Sequence, residues 1–404
     1  MQYPRDSRRN FVAKFSAGIA GTLASTGSVL GANDRIRLGI IGPGARGMQL
    51  VREAIAQPNV EFAAFADIYS RRLEEARQVV PNAKTHMDHR YLLDDKSIDA
   101  VLIATPQHLH CEHFTAALAA GKHVYQEKTM AFTVDHAKRM RAAYQQAKGL
   151  TVQIGHQSCS SGMMQDALAF ARSGKIGKIT AIVAHMYRNT PHGKPQWARP
   201  IYPDMTTENI LWKQFLGEAP QMEFDANRYT NWRFFWDYSG GNVYENMCHQ
   251  LSFWYKGLDL RIPKAVTMTG GVYLWKDGRE VPDTMAVAME HPEEILFSWT
   301  SGFGNDHLGS TEDVLGTDGT ISKGQHIRYS PQKANLPKET EVTGQAKASK
   351  DAHMRNFLES IRGQAMPNCP FDVGFRVSIA CRMAVESYRQ GRTVRWDAQK
   401  EELV

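Results

Sequence analysis

The chain has 404 residues, of which 42% are hydrophobic and 22% are charged. This is enough apolar material for two ordinary domains, and it excludes a disordered, collagen-like or disulfide-scaffold protein, since the 32 glycines follow no period and only five cysteines are present. Half of the formal net charge of +6 comes from the first 32 residues, where Arg5, Arg8, Arg9 and Lys14 oppose Asp6. The rest of the chain is too weakly basic to predict binding to nucleic acid or to a membrane surface.

Residues 1–32 have the pattern of an export signal. Arg8 and Arg9 are adjacent, Phe11 and Lys14 follow, and a weakly apolar stretch rich in small residues continues to Ala32. This order resembles a twin-arginine signal peptide, so we expect a periplasmic or otherwise exported protein. Lys14 and the small polar residues interrupt the run of about 20 apolar residues that a membrane span requires. The alternative is a cytoplasmic protein with a chance pair of arginines.

The cysteines form no Cys-x-x-Cys pair and no evident disulfide framework. Twin-arginine export carries proteins that are already folded, typically because a cofactor is inserted first. We therefore expect buried thiols at the five positions Cys111, Cys159, Cys248, Cys369 and Cys381.

From residue 33 to residue 155, strands and helices alternate. Apolar runs predict strands at 35–41, 60–66, 99–104, 123–126 and 151–155, and helical periodicity predicts helices at 47–57, 70–80, 108–120 and 134–148. Alternation of this kind predicts an α/β Rossmann domain, a doubly wound parallel sheet with helices on both faces.

In residues 156–404 the predicted strands no longer alternate with helices. Closely spaced strands are predicted at 179–188, 264–275, 284–291 and 293–300, a polar loop at 330–350, and two closing helices at 353–362 and 375–390. We expect an α+β domain with a largely antiparallel sheet.

A glycine-rich turn joins the first strand to the first helix. It reads Gly42-x-Gly44-x-x-Gly47, with Ala45 and Arg46 between the last two glycines. The glycines permit a tight turn and close approach of the backbone to a pyrophosphate, and the helix N-terminus favours its negative charge. The sequence therefore predicts a dinucleotide site formed by residues 42–47.

Asp67 ends the second strand, 20 residues after Gly47. A carboxylate at this point accepts hydrogen bonds from a ribose and repels a 2′-phosphate, so it favours NAD. Arg71 and Arg72 are close enough in sequence to keep NADP possible.

Two further segments narrow the family. Thr105-Pro106-Gln107-His108-Leu109-His110 follows the third predicted strand, and Glu127-Lys128-Thr129 follows the fourth. With the glycine turn they resemble the Gfo/Idh/MocA oxidoreductases, which act mainly on sugars and cyclitols. Thr129 stands where that family usually has proline.

The resemblance implies roles for these residues. Lys128 would act at the substrate hydroxyl, and the cofactor contacts would include Thr105, Pro106, His108, His110, Glu127 and Lys128. We add Gln157, which follows the last predicted strand of the domain, to the expected cofactor contacts. The spacing of His108, His110 and His113 around Glu112 matches no standard metal site, so no metal is predicted.

The second half contains a Gly240-Gly241 turn followed by Glu245 and His249. The family has Asp-x-Gly-x-His at the matching positions, so Glu245 and Met247 depart from its pattern while His249 is kept. The resemblance places His249 over the reacting carbon with the lysine. Because Glu245 and His249 are four residues apart, we expect them on one helical face as a catalytic acid/base pair.

A second, partial resemblance is to the NAD-dependent α-N-acetylgalactosaminidases, which are glycosidases on the same fold. It rests on Trp232-Arg233-x-x-Trp236 and Gly241-Asn242-x-Tyr244. It implies that Arg233 and Tyr244 contact a sugar, and we expect Tyr187 on the first strand of this half and His249 to line the same pocket.

Together these features predict an NAD-dependent enzyme that acts on a sugar or glycoside. Because no NAD(H) pool is expected outside the cytoplasm, the cofactor would be retained and recycled internally. Glycoside cleavage through transient oxidation of a ring hydroxyl and sugar oxidoreduction of the glucose–fructose oxidoreductase type both remain open, as does a non-catalytic sugar- or NAD-binding protein. A homo-oligomer, a dimer or tetramer, is also expected.

Overall fold

The computed structural model describes residues 35–190, 194–324, 327–332, 340–341 and 352–404. The predicted export signal lies outside the described residues. None of the helices in these ranges is both long and apolar enough to cross a lipid bilayer.

The first half forms a parallel sheet of six strands with the order β3-β2-β1-β4-β5-β6. The strands are β1 Ile36–Ile41, β2 Val60–Ala66, β3 Lys84–His86, β4 Ala100–Ile103, β5 His123–Gln126 and β6 Val152–Ile154. The helices are α1 Ala45–Ile55, α2 Ser70–Val79, α3 His89–Asp94, α4 His110–Ala119 and α5 Val134–Gln146. The predicted Rossmann fold is confirmed, and the prediction missed only β3 and α3.

The strand order places the functional segments at one edge of this sheet. The chain order reverses between β1 and β4, which are neighbours, and β5 lies beside β4. The glycine turn, the 104–110 segment and the 127–129 segment follow the carboxyl ends of these three strands. Doubly wound sheets bind ligands in the crevice at this switch point.

The second half is built on a sheet of ten strands in the order β14-β13-β12-β11-β7-β10-β9-β8-β15-β16. They are β7 Ile179–Tyr187, β8 Ala265–Gly271, β9 Thr284–Glu290, β10 Leu296–Gly302, β11 Ser310–Gly316, β12 Gly319–Lys323, β13 Ile327–Pro331, β14 Thr340–Glu341, β15 Val394–Asp397 and β16 Glu402–Leu403. Among the described strands of this sheet, only β7 and β10 pair in parallel. The largely antiparallel sheet is therefore confirmed.

One face of the large sheet packs against helices. The helices of this half are α6 Gly162–Arg172, α7 Trp212–Leu216, α8 Ala226–Thr230, α9 Cys248–Leu258, α10 Ala352–Ile361 and α11 Phe371–Gln390. Alternate strand residues such as Ile182 and Trp299 are fully buried in one core with Leu251 and Trp254 of α9. All five cysteines are buried free thiols, as expected.

Two predictions for this half need correction. The segment predicted as a polar loop at 330–350 contributes to the sheet edge, because β13 continues into it as far as Pro331 and pairs with β14 in its middle. Residues 333–339 and 342–350 lie outside the described residues. The residues before α9 are not α-helical: Val243–Met247 form a π-helical turn. Such a turn is wider than an α-helical one and is frequent at functional sites.

Candidate active site

The glycine turn has the backbone shape that a dinucleotide requires. Gly42 has a φ of +86°, and a Cβ added to Gly47 would lie 2.2 Å from the Gly42 carbonyl oxygen. Gly44 is the N-cap of α1, no side chain caps the helix there, and a Cβ added to Gly44 would meet nothing within 4 Å. The first N–H groups of α1 therefore border open space, which fits a bound pyrophosphate.

Asp67 follows β2 beside this turn. Its carboxylate accepts a hydrogen bond from the Tyr69 backbone N–H at 2.9 Å. Burial raises the pKa of Asp67 to about 7, although the Tyr69 N–H and the Arg72 charge act in the opposite direction. Arg71 pairs with Asp204 and Arg72 with Glu75, so both arginines that could bind a 2′-phosphate already contact carboxylates. This arrangement suits NAD.

The histidines after β4 have structural partners. His110 lies between two backbone carbonyl oxygens, Thr105 O at 2.9 Å and Thr129 O at 2.8 Å, so it connects the two segments of the family resemblance. His108 lies 2.6 Å from Phe215 O, and burial lowers the pKa of His108 to about 4. Both rings are buried. Both predicted cofactor contacts are thus buried side chains that lie against backbone carbonyl oxygens, where they hold the backbone in position.

The neighbouring Thr105 and Pro106 lie at the sheet edge. Thr105 Oγ1 is 3.1 Å from His113 Nδ1, and Pro106 is the N-cap of a short 3-10 turn. His113 groups with Glu112 and His89 rather than with His108 and His110, and the ligand-type atoms of these three side chains all lie within 4.8 Å of one another.

Glu245 joins groups from both halves of the chain. Lys128 Nζ donates to Glu245 Oε2 at 2.8 Å and to its carbonyl oxygen at 3.1 Å. Gln107 Nε2 donates to Oε1 at 2.8 Å, and Arg233 Nε lies 3.3 Å from the same oxygen. Burial alone would raise the pKa of Glu245, but the charges of Arg233 and Lys128 outweigh it and lower that pKa to about 2. The carboxylate is therefore ionised, and it orients the Lys128 ammonium.

Lys128 and His249 line one cavity of about 380 Å³. The other lining residues are Arg46, Gln49, Glu53, Glu127 and Gln157. Burial lowers the pKa of His249 well below its ordinary value, and the charge of Lys128 adds to the effect. His249 is therefore neutral near pH 7, beside a positively charged lysine. The cavity brings together a proton acceptor and a proton donor.

Arg46 and Glu127 form an ion pair at one wall of this cavity. Arg46 Nε donates to Glu127 Oε1 at 2.7 Å, and Arg46 Nη1 lies 3.5 Å from Glu53 Oε1. Glu127 also accepts from the Lys128 backbone N–H at 3.1 Å. The contact between Arg46 and Glu127 links the first turn of α1 to the segment that carries Lys128.

The predicted substrate residues separate into two groups. Arg233 contacts Glu245, as above, and its guanidinium lies over the Trp232 ring. Tyr244, in contrast, is fully buried, and its hydroxyl donates to Phe132 O at 2.7 Å. Its carbonyl oxygen accepts from Thr129 Oγ1 at 2.9 Å, next to the cis peptide bond between Lys128 and Thr129. Tyr244 therefore supports the backbone around Lys128 and does not line the cavity.

Tyr187 is on the other face of the large sheet. Tyr187 shares one face of β7 with Val183 and His185. The buried Ile182 and Ala184 lie on the opposite face, which packs against the helices. Because side chains alternate between the faces of a strand, the residue that reaches the site from this strand is Arg188. Arg188 Nη2 donates to Asn246 Oδ1 at 2.9 Å.

Three residues of the site were not predicted from the sequence. Arg188 follows the predicted β7 strand, and Gln107 lies inside the 104–110 motif, so both had a positional signal. Gln107 is buried, and besides binding Glu245 it accepts from the Gly240 N–H at 3.0 Å. His156 is also buried, its ring 5.7 Å from that of His249, and among the described residues neither of its ring nitrogens has a hydrogen-bond partner. Nothing in the local sequence indicated its position.

A parallel six-stranded domain with a glycine turn is joined to a second half whose helix α9 supplies a histidine to the cavity of Lys128, an arrangement that suits an NAD-dependent oxidoreductase. Residues 36–156 match a profile described as "Oxidoreductase family, NAD-binding Rossmann fold", and residues 217–395 match "Oxidoreductase family, C-terminal alpha/beta domain". The chain belongs to the Gfo/Idh/MocA oxidoreductase family, and its first half is an NAD-binding domain.

Individual relatives are distant. A 1-carboxy-3-chloro-3,4-dihydroxycyclohexa-1,5-diene dehydrogenase of Comamonas testosteroni is 29% identical over 170 residues, 42% of this chain and 42% of that protein. A glycosyl hydrolase family 109 protein of Stenotrophomonas maltophilia is 30% identical over 189 residues, 44% of this chain and 41% of that protein. The chain thus spans about two-fifths of the length of these curated relatives.

Solved structures show the same fold over most of the chain. A levoglucosan dehydrogenase in complex with NADH is similar with a TM-score of 0.68 and 19% identity. The similarity covers 89% of this chain and 99% of that one.

Proposed function

We propose that this protein transfers a hydride between NAD(H) and a ring hydroxyl of a sugar or glycoside. The observation that carries the proposal is the cavity in which Lys128 and His249 meet beside the glycine turn. NAD, when bound, accepts or supplies the hydride. The family to which the chain belongs and the sugar named for the levoglucosan dehydrogenase support the choice of substrate class.

The two residues have complementary proton roles. His249 is neutral and accepts the hydroxyl proton as the carbon–hydrogen bond is broken. The Lys128 ammonium, oriented by Glu245, donates a hydrogen bond to the same oxygen and stabilises the negative charge that develops there. In the reverse direction His249 returns the proton.

Substitution of either residue tests these roles. Lys128→Met and His249→Ala should each lower turnover by about 10²–10⁴-fold, the usual contribution of a positioned acid or base. NAD should stay bound, because the glycine turn is untouched. Turnover is followed by nicotinamide absorbance and NAD by equilibrium dialysis.

Lys96→Met and His307→Ala are matched controls, since both side chains are exposed and neither lines the cavity. They should behave as the wild type. Full turnover in the Lys128 or His249 variant would contradict the assigned roles.

We further propose that the protein is exported and retains its cofactor, so that the net reaction is redox-neutral. The supporting observation is the twin-arginine pattern of residues 7–14. Two reactions satisfy this condition: oxidation of one sugar with reduction of another, and cleavage of a glycoside. In the second, oxidation of a ring hydroxyl acidifies the adjacent C–H, the glycosidic substituent is eliminated, water adds, and the ketone is reduced again.

Deuterated water separates the two reactions. The family 109 relative favours glycoside cleavage as the second candidate. If elimination occurs, an aryl glycoside should release its aglycone, and the sugar product should carry deuterium at the carbon next to the transient ketone. Release without ring deuterium would exclude elimination. Oxidised sugar that forms only when a second sugar is supplied would identify oxidoreduction.

A further inference from the structure

Arg188 reaches the site from the second half of the chain. It follows β7 on the face shared by the buried Ile182 and Ala184. Its Nη2 group donates to Asn246 Oδ1 at 2.9 Å, and Asn246 directly follows Glu245 in the π-helical turn. The guanidinium is therefore fixed beside the residue that orients Lys128.

The groups that hold Arg188 are neutral and buried. Asn246 Nδ2 donates to Asn242 Oδ1, Asn242 Nδ2 donates to Ser301 Oγ at 2.8 Å, and Ser301 Oγ donates to the Met186 carbonyl. Asn246, Asn242 and Ser301 are 6%, 1% and 1% exposed. Buried amide chains of this kind fix the geometry of a side chain. Because none of these groups carries a charge, they position the guanidinium without neutralising it.

The other cations of the site all have carboxylate partners. Lys128 and Arg233 share Glu245, and Arg46 pairs with Glu127. Within the described ranges Arg188 forms no ion pair, and its Nε and Nη1 groups have no hydrogen-bond partner. Its charge is close enough to His249 to contribute to the lowered pKa of that residue. Arg188 is exposed and lies outside the residues that line the cavity, and the Glu245 charge opposes the lowering of the Arg188 pKa by burial. A positive charge without a direct carboxylate partner thus borders the site.

The cofactor does not account for this charge. The open backbone N–H groups that suit a pyrophosphate lie at Gly44, at the start of α1 in the first half of the chain. Arg188 belongs to the large sheet of the second half, with Asn246 and Glu245.

We propose that the substrate carries an oxyanion, a carboxylate or a phosphate, and that Arg188 binds it. This rests on the proposed function and adds to it the class of sugar: a sugar acid or a sugar phosphate. A guanidinium has planar N–H groups that match two oxygens of a carboxylate or phosphate, and a neutral anchor leaves Arg188 without a direct carboxylate partner. Arg188 is then a specificity residue, separate from the groups that move the proton.

Paired ligands test the proposal on the protein loaded with NADH. Binding is measured by titration calorimetry for glucose against glucuronate and glucose 6-phosphate, and for the same three forms of galactose and mannose. At least one acidic form should bind 10-fold or more tightly than its neutral partner. The carboxylate and phosphate members show which oxyanion is used, and binding of the preferred form should weaken at higher salt.

Variants of Arg188 identify its contribution. Arg188→Gln should weaken the binding of the preferred acidic form by 10-fold or more and change the binding of its neutral partner less than 2-fold. Arg188→Lys should have an intermediate effect on the binding of the acidic form. Arg172→Gln, the same charge change at the exposed end of α6, is the matched control and should leave the preference unchanged. Asn246→Asp should also reduce the preference, because it places a carboxylate on the guanidinium.

The outcomes separate this inference from the proposed function. Neutral sugars that bind as tightly as the acidic forms, no binding of any acidic form, or equal losses in Arg188→Gln and Arg172→Gln would overturn the role of Arg188. NADH binding and its fluorescence are recorded for every sample and report on folding as well. A wild-type protein that binds no NADH would instead contradict the proposed function.

Discussion

The Asp67 carboxyl group couples cofactor binding to pH. Burial raises its pKa to about 7, so in the cofactor-free protein the group changes charge near neutrality. The ionised form is the stronger acceptor for the hydroxyl groups of a ribose, because a charged acceptor forms stronger hydrogen bonds. Binding of NAD and ionisation of Asp67 should therefore favour each other.

Substitution of Asp67 should weaken the binding of NAD more than the binding of NADP. Asp67→Ala removes a charge-assisted hydrogen bond, with an expected loss of about 1.5–3 kcal/mol for NAD. In the wild type, the dissociation constant for NAD should fall as the pH rises from about 6 to about 8, and Asp67→Asn should flatten this dependence. Fluorescence titration measures both. Equal losses for NAD and NADP would contradict the assignment.

The same shift has a consequence for stability. The folded pKa of Asp67 lies above the value of 3.8 for an unperturbed carboxyl, so the folded state binds the proton more tightly. The free energy of unfolding of the cofactor-free protein should therefore decrease as the pH rises from about 4 to about 7, and Asp67→Asn should remove this contribution.

At the scale of single elements, the turn between β1 and α1 provides a matched pair of substitutions. A Cβ on Gly47 would lie 2.2 Å from the Gly42 carbonyl oxygen, whereas a Cβ on Gly44 would meet nothing within 4 Å. Gly44 also has a φ of −69°, which alanine adopts without strain.

Gly47→Ala should destabilise the fold by about 1–3 kcal/mol, as overpacked substitutions do, and NAD binding should be lost as the turn shifts. Gly44→Ala should leave the free energy of unfolding within about 0.5 kcal/mol of the wild type. It should nevertheless weaken the binding of NAD, because its methyl group enters the space beside the first N–H groups of α1. Thermal unfolding and NAD titration are measured together. Unchanged NAD affinity in Gly44→Ala would show that the pyrophosphate does not lie there.

These elements also show how much could be predicted from the sequence. Five strands of the first sheet, strands β7 to β10 of the second and the glycine turn depend on local patterns of apolar residues and glycine, so the sequence was sufficient to predict them, whereas β11 to β16 were not predicted. The β3 strand, Lys84–His86, was missed because it is three residues long and none of them is apolar. The π-helical turn at Val243–Met247 was missed because a sequence period does not distinguish it from an α-helix.

The candidate site was predicted only where its residues belong to motifs. Lys128, Glu245 and His249 follow recognisable segments. The structure joins Lys128 to Glu245 and places Lys128 and His249 on one cavity, but among the described residues Glu245 does not contact His249 as the predicted acid/base pair would. Gln107 contacts Glu245 across 138 positions, so this pairing depends on how the two halves pack. Arg188 contacts Asn246 across 58 positions, so this pairing depends on the tertiary fold of the second half. Tyr244 could not be assigned from its motif, because its burial against Phe132 is a tertiary effect.

At the scale of the whole molecule, Glu245 and Gln107 connect the two halves at the site. Gln107 and Lys128 come from the parallel sheet, while Glu245 and Gly240 come from the segment before α9. The residues that transfer the proton and the glycine turn that binds the cofactor therefore have fixed relative positions only when both halves are folded. Assembly of several copies into a homo-oligomer stays a prediction.

Retention of the cofactor connects the fold to the proposed export. A protein that acts outside the cytoplasm has to acquire NAD before transport, and the twin-arginine pathway carries folded proteins.

We therefore predict that Arg8→Lys together with Arg9→Lys blocks export, because the adjacent arginines are the recognised feature of the signal. Cell fractionation with antibody detection measures the distribution, and the protein held in the cytoplasm should keep its NAD and its activity, since residues 1–32 precede the fold. Arg5→Lys, outside the arginine pair, is the control and should be exported normally. Mature protein outside the cytoplasm in the double variant would overturn the twin-arginine assignment, and purified wild type without bound nicotinamide would remove the reason for a redox-neutral reaction.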